Sequence, residues 1–205
     1  MSVAESDVSL AETAPARSRA ATRRRLLEAG TTLFAESGLH GVTSAQIARR
    51  AGVATGTFYL HFPDKEALFH EIAFSALAEL RARQDRASAG TALGSREYIR
   101  VRTDEFLRFA EEKRELIRMV FGRAESAGLA DEVREAVVPE IQRWLERRAR
   151  DGRLPADLHP AVAAQAHAAV LTRVIAWWVE DPSRATREEV VATLLRINPS
   201  LLPAG

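Results

Sequence analysis

Apolar positions recur along this chain at helical spacing from one end to the other. Leu26, Leu27, Gly30, Leu33 and Phe34 form the first such run, predicting a helix from about Arg19, and Gly38 followed by Leu39 reads as a left-handed C-terminal cap. Thr43 opens the next helix, with Gln46 three residues on to complete a capping box and Ile47, Ala48 and Ala51 on the inner face. Gly52 suits the positive φ of a sharp turn. A short helix follows from about Ala54 to His61 and stops before Pro63. Asp64 then caps a long helix from Lys65 to about Ala87, with a stripe of Leu68, Ile72, Leu77 and Leu80.

The pattern persists further on. Residues 88–94 read as a loop, and a helix is expected from about Ser95 to Glu112 with Ile99, Phe106 and Phe109 inward. A short apolar helix spans Leu116 to about Gly122. Leu129, Val133, Val137, Ile141, Trp144 and Leu145 define a longer one, which Pro139 is expected to kink or break. Pro160 suits the first position of a helix that ends before Asp181-Pro182, and Thr186 with Glu189 gives a second capping box for a last helix to about Arg196. No run alternates with a period of two, so the predicted fold is all-α. Three regions are expected: a disordered tail over residues 1–16, a helix-turn-helix unit over 17–64 and a helical body over 65–205.

Composition narrows the function. The 205 residues contain no cysteine, which excludes disulfides and thiolate metal sites. No apolar run near twenty residues and no signal-peptide pattern stand out, so the simplest expectation is a cytoplasmic protein with no membrane span. The formal net charge is only +1, yet residues 17–65 hold eight Lys or Arg against three acids, while residues 66–205 hold 21 against 22. A basic first third on a neutral body suits a nucleic-acid-binding head. Glu66 and His70 share a helix face, but two groups without a third are a poor zinc site. No cofactor, metal or catalytic constellation is expected, and no enzyme activity.

Residues 43–62 carry the most specific chemistry. The short helix after Gly52 offers Thr55, Thr57 and Tyr59 beside Phe58 and Phe62, which must be buried. A helix anchored by apolar residues and showing small polar groups outward suits the major groove. Gly38, Thr43, Ile47-Ala48, Ala51-Gly52-Val53, Gly56-Thr57, Tyr59, Phe62, Lys65-Glu66 and Leu68, in that order, resemble the tetracycline-repressor (TetR) family of bacterial transcriptional regulators. The resemblance covers about Leu26 to Leu68. It departs at Ala54, where the family usually has Ser or Thr as a helix cap.

The resemblance implies a three-helix DNA-binding head, a linking fourth helix and a body that dimerises through its last two long helices and often encloses an inducer pocket. Candidate DNA residues are then Thr43, Thr55, Gly56, Thr57, Tyr59, His61 and Lys65, with Arg23 and Arg24 (and Arg17 and Arg19) as an arm on the backbone or in the minor groove. Lys65 is expected to point at a phosphate, since a lysine at a helix N-terminus opposes the dipole. Thr43 has pure N-capping as its plainer role.

The 160–180 helix has two apolar stripes. Val162, Ala166, Ala169, Val174 and Trp177 form one, and Ala164, Ala168, Leu171, Ile175 and Trp178 the other, so one is expected on the core and one on a second copy of the chain. Candidate ligand contacts in the body are Arg102, Met119, Trp144, His167 and Trp178. The expected function is a homodimeric repressor released from a palindromic operator in double-stranded DNA by an unknown small-molecule inducer. The alternative is a DNA-binding regulator or architectural protein without such a ligand.

Overall fold

The structure is a computed structural model that describes residues 14–122 and 127–198. Nine α-helices and no strand occur among them. The chain divides into two compact units, a head through Phe69 and a body from His70, and the division falls within one helix.

In the head, α1 (Ala14–Ser37) starts five residues before the expected Arg19, so the last residues of the anticipated tail are helical. The rest of that tail lies outside the described residues. Alanine is the best helix former, and the Ala-rich start needs no apolar period to be helical. Gly38 (φ 71°) ends α1, its N–H returning to the Phe34 carbonyl at 2.8 Å. The helix α2 (Ser44–Arg50) carries the expected capping box: Thr43 accepts from the Gln46 N–H, and the Gln46 side chain accepts from the Thr43 N–H. Gly52 (φ 69°) makes the turn into α3 (Thr55–Tyr59), whose cap Ala54 supplies no side-chain hydrogen bond. Leu26, Phe34, Ile47, Phe58, Phe62 and Leu68 are fully buried and form the head's interior. Phe34 meets Phe69 edge-on at 5.3 Å.

The helix α4 (Lys65–Ala87) begins in the head and continues into the body. Asp64 caps it, accepting from the Ala67 N–H at 2.7 Å. The body adds α5 (Arg96–Glu112), α6 (Arg114–Phe121), α7 (Ala127–Arg150), α8 (Pro160–Glu180) and α9 (Arg187–Arg196), with a 3-10 turn at Pro182–Arg184 before α9. One core cluster joins Leu80, Phe109, Ile175, Trp178 and Leu194; a second joins Val138, Leu145, Leu154 and Ala164. Arg187 ties α9 to α5 through Asp104 at 3.0 Å and Glu111 at 3.1 Å.

Two expectations need correction. Of the kink or break expected at Pro139, the break does not occur, since α7 is one helix from Ala127 to Arg150. The ring removes one ladder hydrogen bond. One turn earlier the Ala136 carbonyl accepts a hydrogen bond from Arg81 Nη2 at 2.8 Å, a donor from outside the helix that the sequence did not reveal. The second concerns α8, which is long and apolar enough to cross a membrane on length and composition. Its inner stripe (Ala164, Ala168, Ile175, Trp178) is buried in the body core.

Candidate nucleic-acid interface and body cavity

Phe58 and Phe62 fix α3 from beneath, with their rings 5.9 Å apart. Because side chains of a helix diverge around its axis, burying Phe58 turns its neighbours outward. Tyr59 is 56% exposed and Leu60 73%, Thr55 and Gly56 are exposed and Thr57 is half-buried. Nothing stands within 4 Å of a side chain built at Gly56, so open space, not crowding, surrounds this glycine.

Thr43, Tyr59 and Lys65 border one shallow depression, together with Ser44, Asp64 and Glu66. The structure thus brings three of the expected DNA residues, Thr43, Tyr59 and Lys65, to one place, and two of the expected cations have a structural task as well. The Lys65 ammonium is half-buried and donates to the carbonyls of Leu39 at 2.8 Å and Val42 at 2.9 Å. It therefore locks the turn between α1 and α2, leaving one ammonium proton for any outside acceptor. Arg23 likewise braces the head. Its Nη1 donates to the His61 carbonyl at 2.9 Å and its guanidinium lies 4.3 Å from the Phe62 ring centre. Arg24 is exposed, with Glu28 at 3.8 Å, and Arg19 approaches the Leu60 carbonyl. Burial, then the positive charges of Arg19 and Arg23, hold the His61 pKa below its ordinary value, so the ring is neutral near pH 7 and offers one N–H. The sequence carried no sign of these braces, because they join residues 23 to 41 positions apart.

Within the body, α4 to α8 enclose a cavity of about 280 Å³. Arg102, Trp144 and His167 line it as expected. Met119 and Trp178 do not. Met119 is 3% exposed on the other side of α6, and Trp178 is core, its indole N–H donating to the Ala185 carbonyl at 2.8 Å. Both sit on buried faces, and a buried face can meet packed neighbours as readily as a void. The wall also carries Arg81, Glu140 and Arg147, which were not among the expected contacts. Arg147 was accessible, since Val133, Val137, Glu140, Trp144 and Arg147 recur three or four apart along one face of α7. His167 is kept neutral by desolvation, which lowers its pKa, and its Nε2 lies 3.5 Å from Asn198 Nδ2. Leu93, from the loop between α4 and α5, lines one side, and the next residue, Gly94, lies close against Trp144.

Residues 26–72 match the model of bacterial regulatory proteins of the tetR family. The match spans the helix-turn-helix segment and the start of α4. The chain is 27% identical over 190 residues to the transcriptional regulator AcrR of Shigella flexneri, covering 86% of this chain and 88% of AcrR. Among solved structures it resembles NalD of Pseudomonas aeruginosa, the secondary repressor of a multidrug efflux pump, with a TM-score of 0.70 at 22% identity over 91% of this chain and 98% of NalD. It also resembles FadR of Bacillus subtilis, solved in complex with stearoyl-CoA, with a TM-score of 0.71 at 18% identity over 87% of this chain and 98% of FadR. Its head is therefore that of a tetR-family DNA-binding regulator of transcription, and its helical body shares the fold of such regulators. Among the described residues no group of three or more acidic or histidine side chains could hold a metal ion.

Proposed function

We propose that the chain is a homodimeric, cytoplasmic repressor that a small molecule releases from a palindromic operator. The observation that carries this reading is the pairing of an outward Tyr59 on α3 with an apolar cavity in the body. In this reading Thr55, Gly56 and Thr57 approach the major groove, Tyr59 takes a phosphate or a thymine methyl, and Thr43 presents the first turn of α2 to a phosphate. Thr43's own hydroxyl is engaged with Gln46, so the first-turn N–H groups carry that contact. Lys65 and Arg23 position these groups, and Lys65's remaining proton and the exposed Arg24 add phosphate attraction.

The outer stripe of α8 supports a dimer. Val162, Val170 and Trp177 are 65%, 37% and 39% exposed, with Ala166 and Ala169 open between them. An apolar helix face left to water is unfavourable, and a second copy of the same face, with part of α9, is its natural cover. The fourth helix begins in the head and ends among cavity-lining residues, so a ligand that favours one body arrangement has a continuous element to act on.

Tyr59→Ala tests the head. We expect operator affinity to fall about tenfold or more, with dimerisation unchanged, in a binding titration paired with sedimentation. Undiminished operator affinity would remove Tyr59 from the interface.

A further inference from the structure

We infer that the body cavity takes an amphiphile with an apolar body and an anionic headgroup, and that Arg147 selects the negative charge. The inference rests on the ligand-responsive reading above and names the class of ligand. Most of the wall is apolar, built from Leu77, Ile99, Phe106, Ile117, Val133 and Leu171 among others. Its volume sits near the lower end of small-molecule sites, roughly 300 Å³, which fits a medium-length chain or a compact ring system.

The charged groups on the wall do not balance. Arg81, Arg102 and Arg147 face one carboxylate, Glu140. Arg102 is held by Asp85 at 2.6 Å, just outside the wall, and lies 3.9 Å from Glu140. Arg81 donates to the Ala136 carbonyl and lies 4.0 Å from Glu140. Two carboxylates thus answer two guanidiniums. Arg147 is the third, exposed and with neither ion pair nor hydrogen bond among the described residues. Arg143, Arg150 and Arg153 are exposed on the same stretch of chain, against Glu146 and Asp151.

An apolar void with a surplus guanidinium at its rim complements an apolar molecule ending in a carboxylate or phosphate, whose oxygens match the planar fork of arginine. A cationic headgroup finds no unanswered carboxylate there. A neutral one leaves the Arg147 charge where it is and gains nothing from it.

Isothermal titration of the full chain, without DNA, compares decanoate, decyl phosphate, decanol and decyltrimethylammonium, each below its micellar limit. We expect at least one of the two anionic probes to bind roughly tenfold tighter than decanol, about 1.4 kcal/mol. The comparison of decanoate with decyl phosphate tells which headgroup is preferred. Arg147→Gln should erase the anionic preference without weakening decanol, and Arg147→Lys should keep most of it. Decanol or the ammonium probe binding as tightly as both anions, a preference that survives Arg147→Gln, or no binding by any probe would overturn the inference. Operator displacement, measured separately, distinguishes the two readings. Tight anionic binding that leaves operator affinity unchanged supports the ligand class and removes the ligand-responsive reading. Displacement by a neutral or cationic compound alone does the reverse.

Discussion

At the scale of single residues, two positions give sharp expectations. Gly94 adopts φ 73°, and a Cβ there would stand 2.6 Å from the Trp144 ring. The left-handed backbone alone costs a residue with a side chain about 1–2 kcal/mol. Gly94→Ala should therefore destabilise the body by at least that amount in urea denaturation, and the Trp144 emission should shift as the ring is pushed aside. His167 sets a pH dependence. Desolvation lowers its folded pKa below 6.5, so under acid the unfolded chain binds a proton that the fold refuses. The stability is complete above about pH 6.5 and is lost as pH falls through that value toward the folded pKa. Stability measured from about pH 7 to about pH 5 should decline more steeply in the parent than in His167→Gln. His61 contributes in the same direction from the head, so part of the decline remains in that variant.

At the scale of elements, helix identity was legible and some helix ends were not. The bounds of α4 follow from Asp64 and from the loop after Ala87, and both capping boxes formed as their sequences specify. The start of α1 was missed because alanine promotes a helix without leaving a periodic trace. The start of α6 at Arg114, two residues ahead of its apolar run, was missed for a similar reason. In α7 the sequence showed Pro139 but not the donor from Arg81 to Ala136 on the preceding turn. Since proline inside a helix costs about 3 kcal/mol relative to alanine, Pro139→Ala should stabilise the body by up to about that amount. Equilibrium unfolding checks it, and no gain would mean that the neighbouring contacts already remove the penalty.

At the scale of the whole molecule, the side of the head facing outward could be read from one segment because helix-turn-helix geometry is local. The cavity could not, since it is assembled from five helices and its lining depends on which buried faces meet a void. Arg102, Trp144 and His167 fell on the wall while Met119 and Trp178 fell into packed core, and nothing in their own spacing separates the two outcomes. The outer stripe of α8 was legible at Val162, Ala166, Ala169 and Trp177, but Val174 packs on the core instead, and Val170 and the charged Arg173 lie on the open face. Replacing Val170 and Trp177 together by Glu should shift sedimentation from dimer to monomer and sharply weaken binding to a two-half-site operator, with the helical content of each chain retained.

The contact between Gly94 and Trp144 also imposes an order on how this regulator can diversify. A bulkier residue in the loop is blocked while the indole stands there, whereas a smaller residue at 144 enlarges the chamber and opens room beside the loop in one step. Under the proposed ligand response, lineages that take larger compounds should accordingly have altered position 144 before position 94. Reconstructing the two changes in the opposite sequence should pass through a poorly folding intermediate.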